Sequence, residues 1–405
     1  PPNTHSGGRL VPAQWLLSGV TAPRAEPGPV TDATPQRSDD AAHGSPAAAP
    51  SDLRARQRTD ALAHQDLEEA KAKPPSGATP LIRAALRGDL AAIDEELANG
   101  VDINEQDPQG NTALAHAAAA GRVTAIKHLL QRGANIDLSD HFGATPLMQA
   151  IAADRSAAAI LLIERGARVN ARLKRNRSTP LILAAWHDRK AVVGELLDKG
   201  ADIAYRNQGG LDALMTAIER KHTDIVQLLL DREAPIDGVT ITGRSTLDLA
   251  AIANDADTVN ELLKRGMAVD RRDRTGATPS MRAAAHGANE ALQALIAAGA
   301  DPNARSNNGT SVLIMAAANG RTATIALLLK HGARLDARDP RYGSTALHCA
   351  VGGDHAAATQ VLLDGGADPN AQLKAGRTAL IIAADRGEAM IVQSLLAAKA
   401  DKALV

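Results

Sequence analysis

From Gly77 onward the apolar residues fall into one short pattern that returns along the rest of the chain. A glycine precedes a Thr-Pro-Leu-like signature at Gly77, Gly110, Gly143, Gly210, Gly243, Gly276, Gly309, Gly343 and Gly376, with Arg177 in the equivalent place between Gly143 and Gly210. Successive steps are 33 residues, except for two of 34 that end at Arg177 and Gly343. Thr79-Pro80-Leu81, Thr145-Pro146-Leu147, Thr179-Pro180-Leu181 and Thr278-Pro279 predict helix starts, because threonine caps the first free amides and proline presets φ. Ala-Ala pairs follow, as at Ala84-Ala85, Ala117-Ala118, Ala184-Ala185, Ala316-Ala317 and Ala383-Ala384, small enough to let neighbouring helices approach closely. Gly88, Gly121, Asp154, Asp188, Asn254, Gly287, Gly320 and Gly387 then predict a helix end, being residue types that tolerate left-handed backbone. A second helix carries Leu-Leu near its end, as at Leu129-Leu130 and Leu196-Leu197, and a Gly-Ala-Asp or near variant closes it.

A 33-residue, two-helix unit of this kind resembles the ankyrin repeat, and the resemblance covers residues 77–405 as ten units. It implies an all-α solenoid in which each repeat contributes a hairpin loop and two helices, and no unit can bury its apolar face alone. It also implies a bacterial-type protein-interaction module whose hairpin tips and inner helices form a concave binding face. Most units place an apolar residue where the family's opening motif has histidine (Ile82, Met148, Ile182, Met215, Met281, Ile314 and Ile381), and only His348 retains it. The resemblance therefore implies that inter-repeat bonding through that histidine is largely missing. The last unit ends at Ala398-Lys399-Ala400-Asp401 without a strongly polar cap, so it is expected to fray first.

The first 76 residues follow a different rule. Residues 1–50 are rich in Pro, Ala, Gly, Ser and Thr with no sustained period, which predicts a disordered tether. Residues 51–76 predict a marginal helix and linker, opened by Ser51 or Asp52, stopped before Pro74-Pro75, and carrying only Leu53, Leu62 and Leu67 as large apolar residues. The absence of an initiator methionine points to a processed or truncated chain, and an Ala/Pro-rich spacer suits an extracytoplasmic location, with a cytoplasmic one as the alternative. Arg9 and the apolar run after it resemble the end of a secretion signal, interrupted by Pro12 and Gln14.

Composition narrows the function. The chain has only five aromatic residues, so its core must be built in thin layers of Ala, Leu, Ile and Val. Cys349 is the single cysteine and excludes an internal disulfide; it sits where other units have Leu183, Leu249, Met315 or Ile382, which predicts a small buried hydrophobe. No phosphate-binding glycine loop, nucleophile elbow or His-Glu-x-x-His pair occurs, so no catalytic residue, cofactor or metal is expected. No apolar run is long enough to span a membrane.

Charge then points to a surface. Lys+Arg number 45 and Asp+Glu 46, yet the nine hairpin windows hold 14 basic residues against five acidic ones, leaving a more acidic remainder. Phe142, Tyr205 and Tyr342 fall in hairpins and Trp186 follows an Ala-Ala pair, so every aromatic of the repeats lies on the prospective binding face. Aromatics and arginine are the usual energetic anchors of interfaces. Both 34-residue steps place their extra residue in a hairpin, within 171–177 and 337–343. The candidate partner-binding residues are Phe142, Arg172, Lys174, Arg175, Arg177, Trp186, Tyr205, Arg206, Arg271, Arg272, Arg274, Arg341 and Tyr342. The expected activity is non-catalytic binding of another protein's acidic surface by a chain monomeric on its own, in an adaptor, inhibitor or immunity-type role. Plain solvation of loop arginines is the bland alternative. Nucleic-acid binding along the same ridge is disfavoured by neutral net charge and sparse aromatics, and a secreted accessory protein acting on an enzyme partner is a further reading.

Overall fold

A computed structural model describes residues 77–404; the expected tether and short helix before them lie outside the described residues. Among the described residues there are twenty α-helices in ten consecutive pairs, and no β-strand. The first six pairs are α1 (Pro80–Arg87) and α2 (Leu90–Ala98), α3 (Ala113–Ala120) and α4 (Val123–Gln131), α5 (Pro146–Ala152) and α6 (Ser156–Glu164), α7 (Pro180–Trp186) and α8 (Lys190–Asp198), α9 (Ala213–Arg220) and α10 (Thr223–Asp231), and α11 (Thr246–Ala253) and α12 (Ala256–Lys264). The last four are α13 (Pro279–His286) and α14 (Asn289–Ala297), α15 (Val312–Ala318) and α16 (Thr322–Lys330), α17 (Ala346–Gly352) and α18 (Ala356–Asp364), and α19 (Ala379–Asp385) and α20 (Ala389–Ala397). Two compact units divide them: residues 77–271 with Glu290–Ala298, and Arg272–Asn289 with 299–404.

The inner helix of each pair starts where the sequence pattern places it. Thr79, Thr112, Thr145, Thr179, Thr278 and Thr378 each accept a hydrogen bond from the amide three residues on, at 3.1–3.4 Å, and Asp212 does the same for α9 at 2.8 Å. Left-handed backbone follows the inner helix at Asp154, Asp188, Asn254 and Asp354 as well as at glycines. Lys221 also adopts it, with φ +62°, although lysine gives no sign of this in the sequence. The bend is therefore imposed by the tertiary stack rather than by residue preference.

Within each unit, inner helices pack on the inner helices of neighbouring repeats and on their own outer helices. The Ala-Ala pairs sit at those contacts: Ala84, Ala85, Ala184, Ala185, Ala316 and Ala317 are at most 1% exposed. A second device ties repeats together. The residue that opens the outer helix reaches back to the free carbonyl end of the preceding inner helix: Arg122 Nε donates to the Leu86 carbonyl at 2.9 Å, Arg321 Nε to Ala285 at 3.1 Å, and the His222 and His355 rings to Ala185 and Ala318. Each contact satisfies a terminal carbonyl and sets a donor of positive character against the negative end of the helix dipole.

The last pair departs from the others. Leu81, Ile82, Leu147, Met148, Leu313 and Ile314 are buried on their inner helices, whereas Leu380, Ile381 and Ile382 of α19 are only half-buried and Ala384 is exposed. In a chain ending at Val405, α19 and α20 should exchange their amide protons at least about tenfold faster than α15 and α17, measured by hydrogen exchange; equal protection would contradict this.

Candidate partner-binding surface

The hairpins are short turns closed by one backbone bond and filled by one side chain. In the standard form the first residue's amide meets the carbonyl four residues on, as from Asp107 to Asn111 (2.9 Å), Asp140 to Ala144 (3.0 Å) and Asp273 to Ala277 (3.0 Å). The same aspartate accepts from amides two and four residues ahead, which fixes the turn. In the two longer repeats the closing bond spans one residue more, from Leu173 to Ser178 and from Asp339 to Ser344, both 3.0 Å.

Neighbouring tips are joined directly. In the first unit the amides of His141, Lys174, Gln208 and Ile241 donate to the carbonyls of Gln109, Phe142, Asn176 and Gly209 at 2.8–3.1 Å. In the second, Asn307 donates to Thr275 and Lys374 to Tyr342, both at 2.9 Å. Residues about 32 positions apart in sequence therefore stand side by side in each unit.

This brings much of the candidate set together. Phe142 is 51% exposed, and its carbonyl holds the Lys174 amide at 2.8 Å. Arg172, Lys174, Arg175 and Arg177 are all exposed on one hairpin. The Arg172 guanidinium lies over the Tyr205 ring, 4.3 Å from its centroid, an attractive cation–π arrangement. Trp186, half-buried at the end of α7, is covered in the same way by Arg220 at 4.5 Å. Arg220 was not among the sequence candidates; it lies 34 residues after Trp186, at the end of the next inner helix, and nothing in the repeat register singles it out. In the second unit Arg341 stacks on Tyr342 at 4.9 Å. None of the four aromatics is in the packed core.

The arginines do not form one class. Arg172, Arg206, Arg272, Arg305 and Arg338 occupy the same hairpin position, counted back from the closing bond. Arg272 donates to the Arg305 carbonyl at 2.6 Å, Arg305 to the Arg338 carbonyl at 3.0 Å, and Arg338 to the Gln372 carbonyl at 2.6 Å, a staple running from hairpin to hairpin. Arg206 is held by carboxylates instead, 3.5 Å from Asp212 and 3.4 Å from Asp237. Arg271 is half-buried and Arg274 exposed. Part of the basic ridge thus serves the scaffold, and the hairpin of Arg172 to Arg177 carries the densest exposed charge.

Buried polar groups lie just beneath the tips. Burial alone would raise the Asp107 and Asp273 carboxyls, but amide and hydroxyl donors together with His116 or Arg282 outweigh it and hold both below the usual range. For Asp140 and Asp212 burial prevails and raises the carboxyl, Arg206 notwithstanding in the second case. Cys349 is half-buried rather than fully enclosed, whereas Leu183, Leu249 and Met315 at equivalent positions are buried. Its low-dielectric surroundings and Asp339 push the thiol up to about 12, so it is a poor nucleophile. Among the described residues no group of three or more His, Cys, Asp or Glu could hold a metal ion, and no helix is long and apolar enough to cross a membrane.

Comparison with known proteins agrees with this geometry. The family described as "Ankyrin repeats (3 copies)" matches residues 57–140, 126–207, 204–273, 280–373 and 343–404, far more than half of the chain. The chain belongs to the ankyrin-repeat family. Ankyrin repeats are general protein–protein interaction modules, typically without catalytic activity. Over 71 residues the chain is 34% identical to the Drosophila melanogaster "Ankyrin repeat and KH domain-containing protein mask", covering 18% of this chain and 2% of that protein. Over 67 residues it is 36% identical to the human "Ankyrin repeat and KH domain-containing protein 1", covering 16% and 3%. The chain thus spans only a small fraction of the length of these curated relatives. Both are animal proteins, so they lend no support to a bacterial character. The human ASB11 ankyrin repeat domain aligns with a TM-score of 0.48 and 26% identity, over 56% of this chain and all of that one.

Proposed function

We propose that this ankyrin-repeat protein acts by binding, not catalysis, and that its hairpin tips take an acidic surface of a partner protein, as an adaptor or an inhibitor would. The observation that carries this is the fourth hairpin: residues 171–178 hold four exposed cationic side chains and no carboxylate. Clustered like charge is unfavourable in the free protein and favourable against a negative partner, where it also speeds encounter. Ring-stacked Arg172 and Arg220 keep their N–H edges available for carboxylates while losing less freedom on binding than unsupported side chains would.

The test uses a fluorescent polyglutamate peptide as the acidic probe. Reversing Arg172, Lys174, Arg175 and Arg177 to glutamate should slow association, flatten the salt dependence and weaken binding by about ten- to a hundredfold. Trp186→Ala should act mainly by speeding dissociation. Unchanged affinity of the fourfold variant across salt concentrations, or tighter binding of duplex DNA than of the peptide, would defeat this reading.

A further inference from the structure

The third and fourth hairpins combine two features that charge alone does not explain. Among the described residues Phe142 is the most exposed aromatic, 51% open to solvent, and it stands against the basic hairpin through the 2.8 Å bond from the Lys174 amide to its own carbonyl. The join is tight: a methyl group added at Gly143 would lie 3.0 Å from the Lys174 nitrogen and 3.1 Å from its Cγ, on a backbone with φ +83°. Phe142 therefore has a fixed position relative to Lys174. The second feature is Arg177, which adopts φ +64° where the other nine repeats have glycine in the same left-handed conformation. A side chain there costs conformational energy that glycine would avoid, and strain of this kind concentrates at functional positions. The result is an exposed ring beside four cations, one of which is retained against backbone preference.

We propose that the ligand of these two hairpins is an extended acidic peptide segment bearing a large apolar side chain next to its carboxylates. The apolar side chain covers Phe142 while the carboxylates engage the hairpin of Arg172 to Arg177. The proposal rests on the acidic-partner reading above and adds to it the apolar anchor that sets specificity. Covering the exposed half of a phenylalanine with a large apolar group corresponds to about a five- to thirtyfold gain in affinity. A polyanion without such a group would gain charge contacts only.

Two peptides of equal length and charge decide the matter by fluorescence anisotropy, one of glutamate and serine, the other with a single tryptophan in place of a central serine. The tryptophan peptide should bind the wild-type chain about five- to thirtyfold more tightly. Phe142→Ala, at an exposed site where circular dichroism can verify an intact fold, should erase that preference and leave glutamate–serine binding in place. Arg177→Gly should raise the unfolding midpoint yet weaken both peptides by about two- to fivefold, which a purely structural residue would not do. Equal affinity for the two peptides, or a preference that survives Phe142→Ala, overturns this inference while the acidic-partner reading stands. Failure of both peptides to bind at low salt overturns the two together.

Discussion

Replacing Arg282 by methionine is expected to destabilise the chain by about 3–5 kcal/mol in urea unfolding. Arg282 lies within an inner helix and is only 3% exposed, and its guanidinium pairs with the Asp273 carboxylate of the hairpin below. Removing the cation leaves a buried carboxylate whose remaining donors, the Thr275 amide and hydroxyl at 2.7 Å and the Ala277 amide at 3.0 Å, carry no compensating charge. The pH dependence should then change sign. In the native chain the Asp273 carboxyl is held low, so its contribution is complete above the unfolded carboxylate pKa and is lost as pH falls through the folded value. In the methionine variant that pKa is raised instead, and stability should recover on acidification towards pH ~5 as Asp273 takes up a proton. The double variant Asp273→Asn/Arg282→Met keeps the turn's acceptor oxygen and removes both charges. It should recover most of the loss, because the eighth repeat already works with Ser306 and Met315 at these positions and no ion pair. A double variant as unstable as the single one would show that the pair itself, not the orphaned charge, stabilises the fold.

How far the sequence foretold these features depends on whether a residue acts within its repeat or between repeats. Helix starts at threonine caps, the buried Ala-Ala pairs and the two lengthened hairpins are local, and the 33-residue period exposes them. The surface location of Phe142, Trp186, Tyr205 and Tyr342 follows from register alone. What an arginine reaches for is not local. Arg172 and Arg272 share a hairpin position, yet one stacks on Tyr205 and the other staples the next hairpin's carbonyl, because only the repeat after Arg172 offers a ring at that place. Lys221 takes a left-handed conformation because the stack requires a turn there. Arg282, an unremarkable charge on an inner helix, gains its importance from a hairpin nine residues earlier.

This division also bears on the acidic-partner reading. A staple such as Arg305 satisfies a carbonyl but neutralises no charge, so its guanidinium still adds to the positive field around the tips of its unit. Scaffold and recognition are therefore not exclusive uses of the same residue. Charge reversal at a staple would perturb folding and field together, whereas the four cations of the fourth hairpin lie outside that staple chain. Reversing those four charges therefore changes the field at the tips without cutting the staple.

Lowering the pH from 7 to 4 should weaken the ninth and tenth repeats by about 3 kcal/mol through His348 alone, a size set by the distance between its unfolded and folded pKa values. Burial is the main cause of its low value, with the Arg338 charge adding to it; the Ala371 and Arg377 backbone and Asp339 oppose the shift without overcoming it, and the result is about 4 against an ordinary 6.5. Its Nδ1 is committed as an acceptor, 2.8 Å from the Thr345 hydroxyl and 3.3 Å from the Thr345 amide, so the neutral ring helps to cap α17. The folded pKa lies below the unfolded one, so the unfolded chain binds more protons between the two values. Stability is then complete above pH ~6.5, declines as pH falls towards ~4, and is not reduced further by this group below that. Other repeats place uncharged Met148, Ile182 or Ile314 at the same helical position and should show no such loss from it. Hydrogen exchange of α17 and α19 as a function of pH, corrected for intrinsic rates, should therefore reveal a decline across this window that His348→Met removes. A decline that persists unchanged in the methionine variant would assign the acid sensitivity of these repeats to their carboxylates instead.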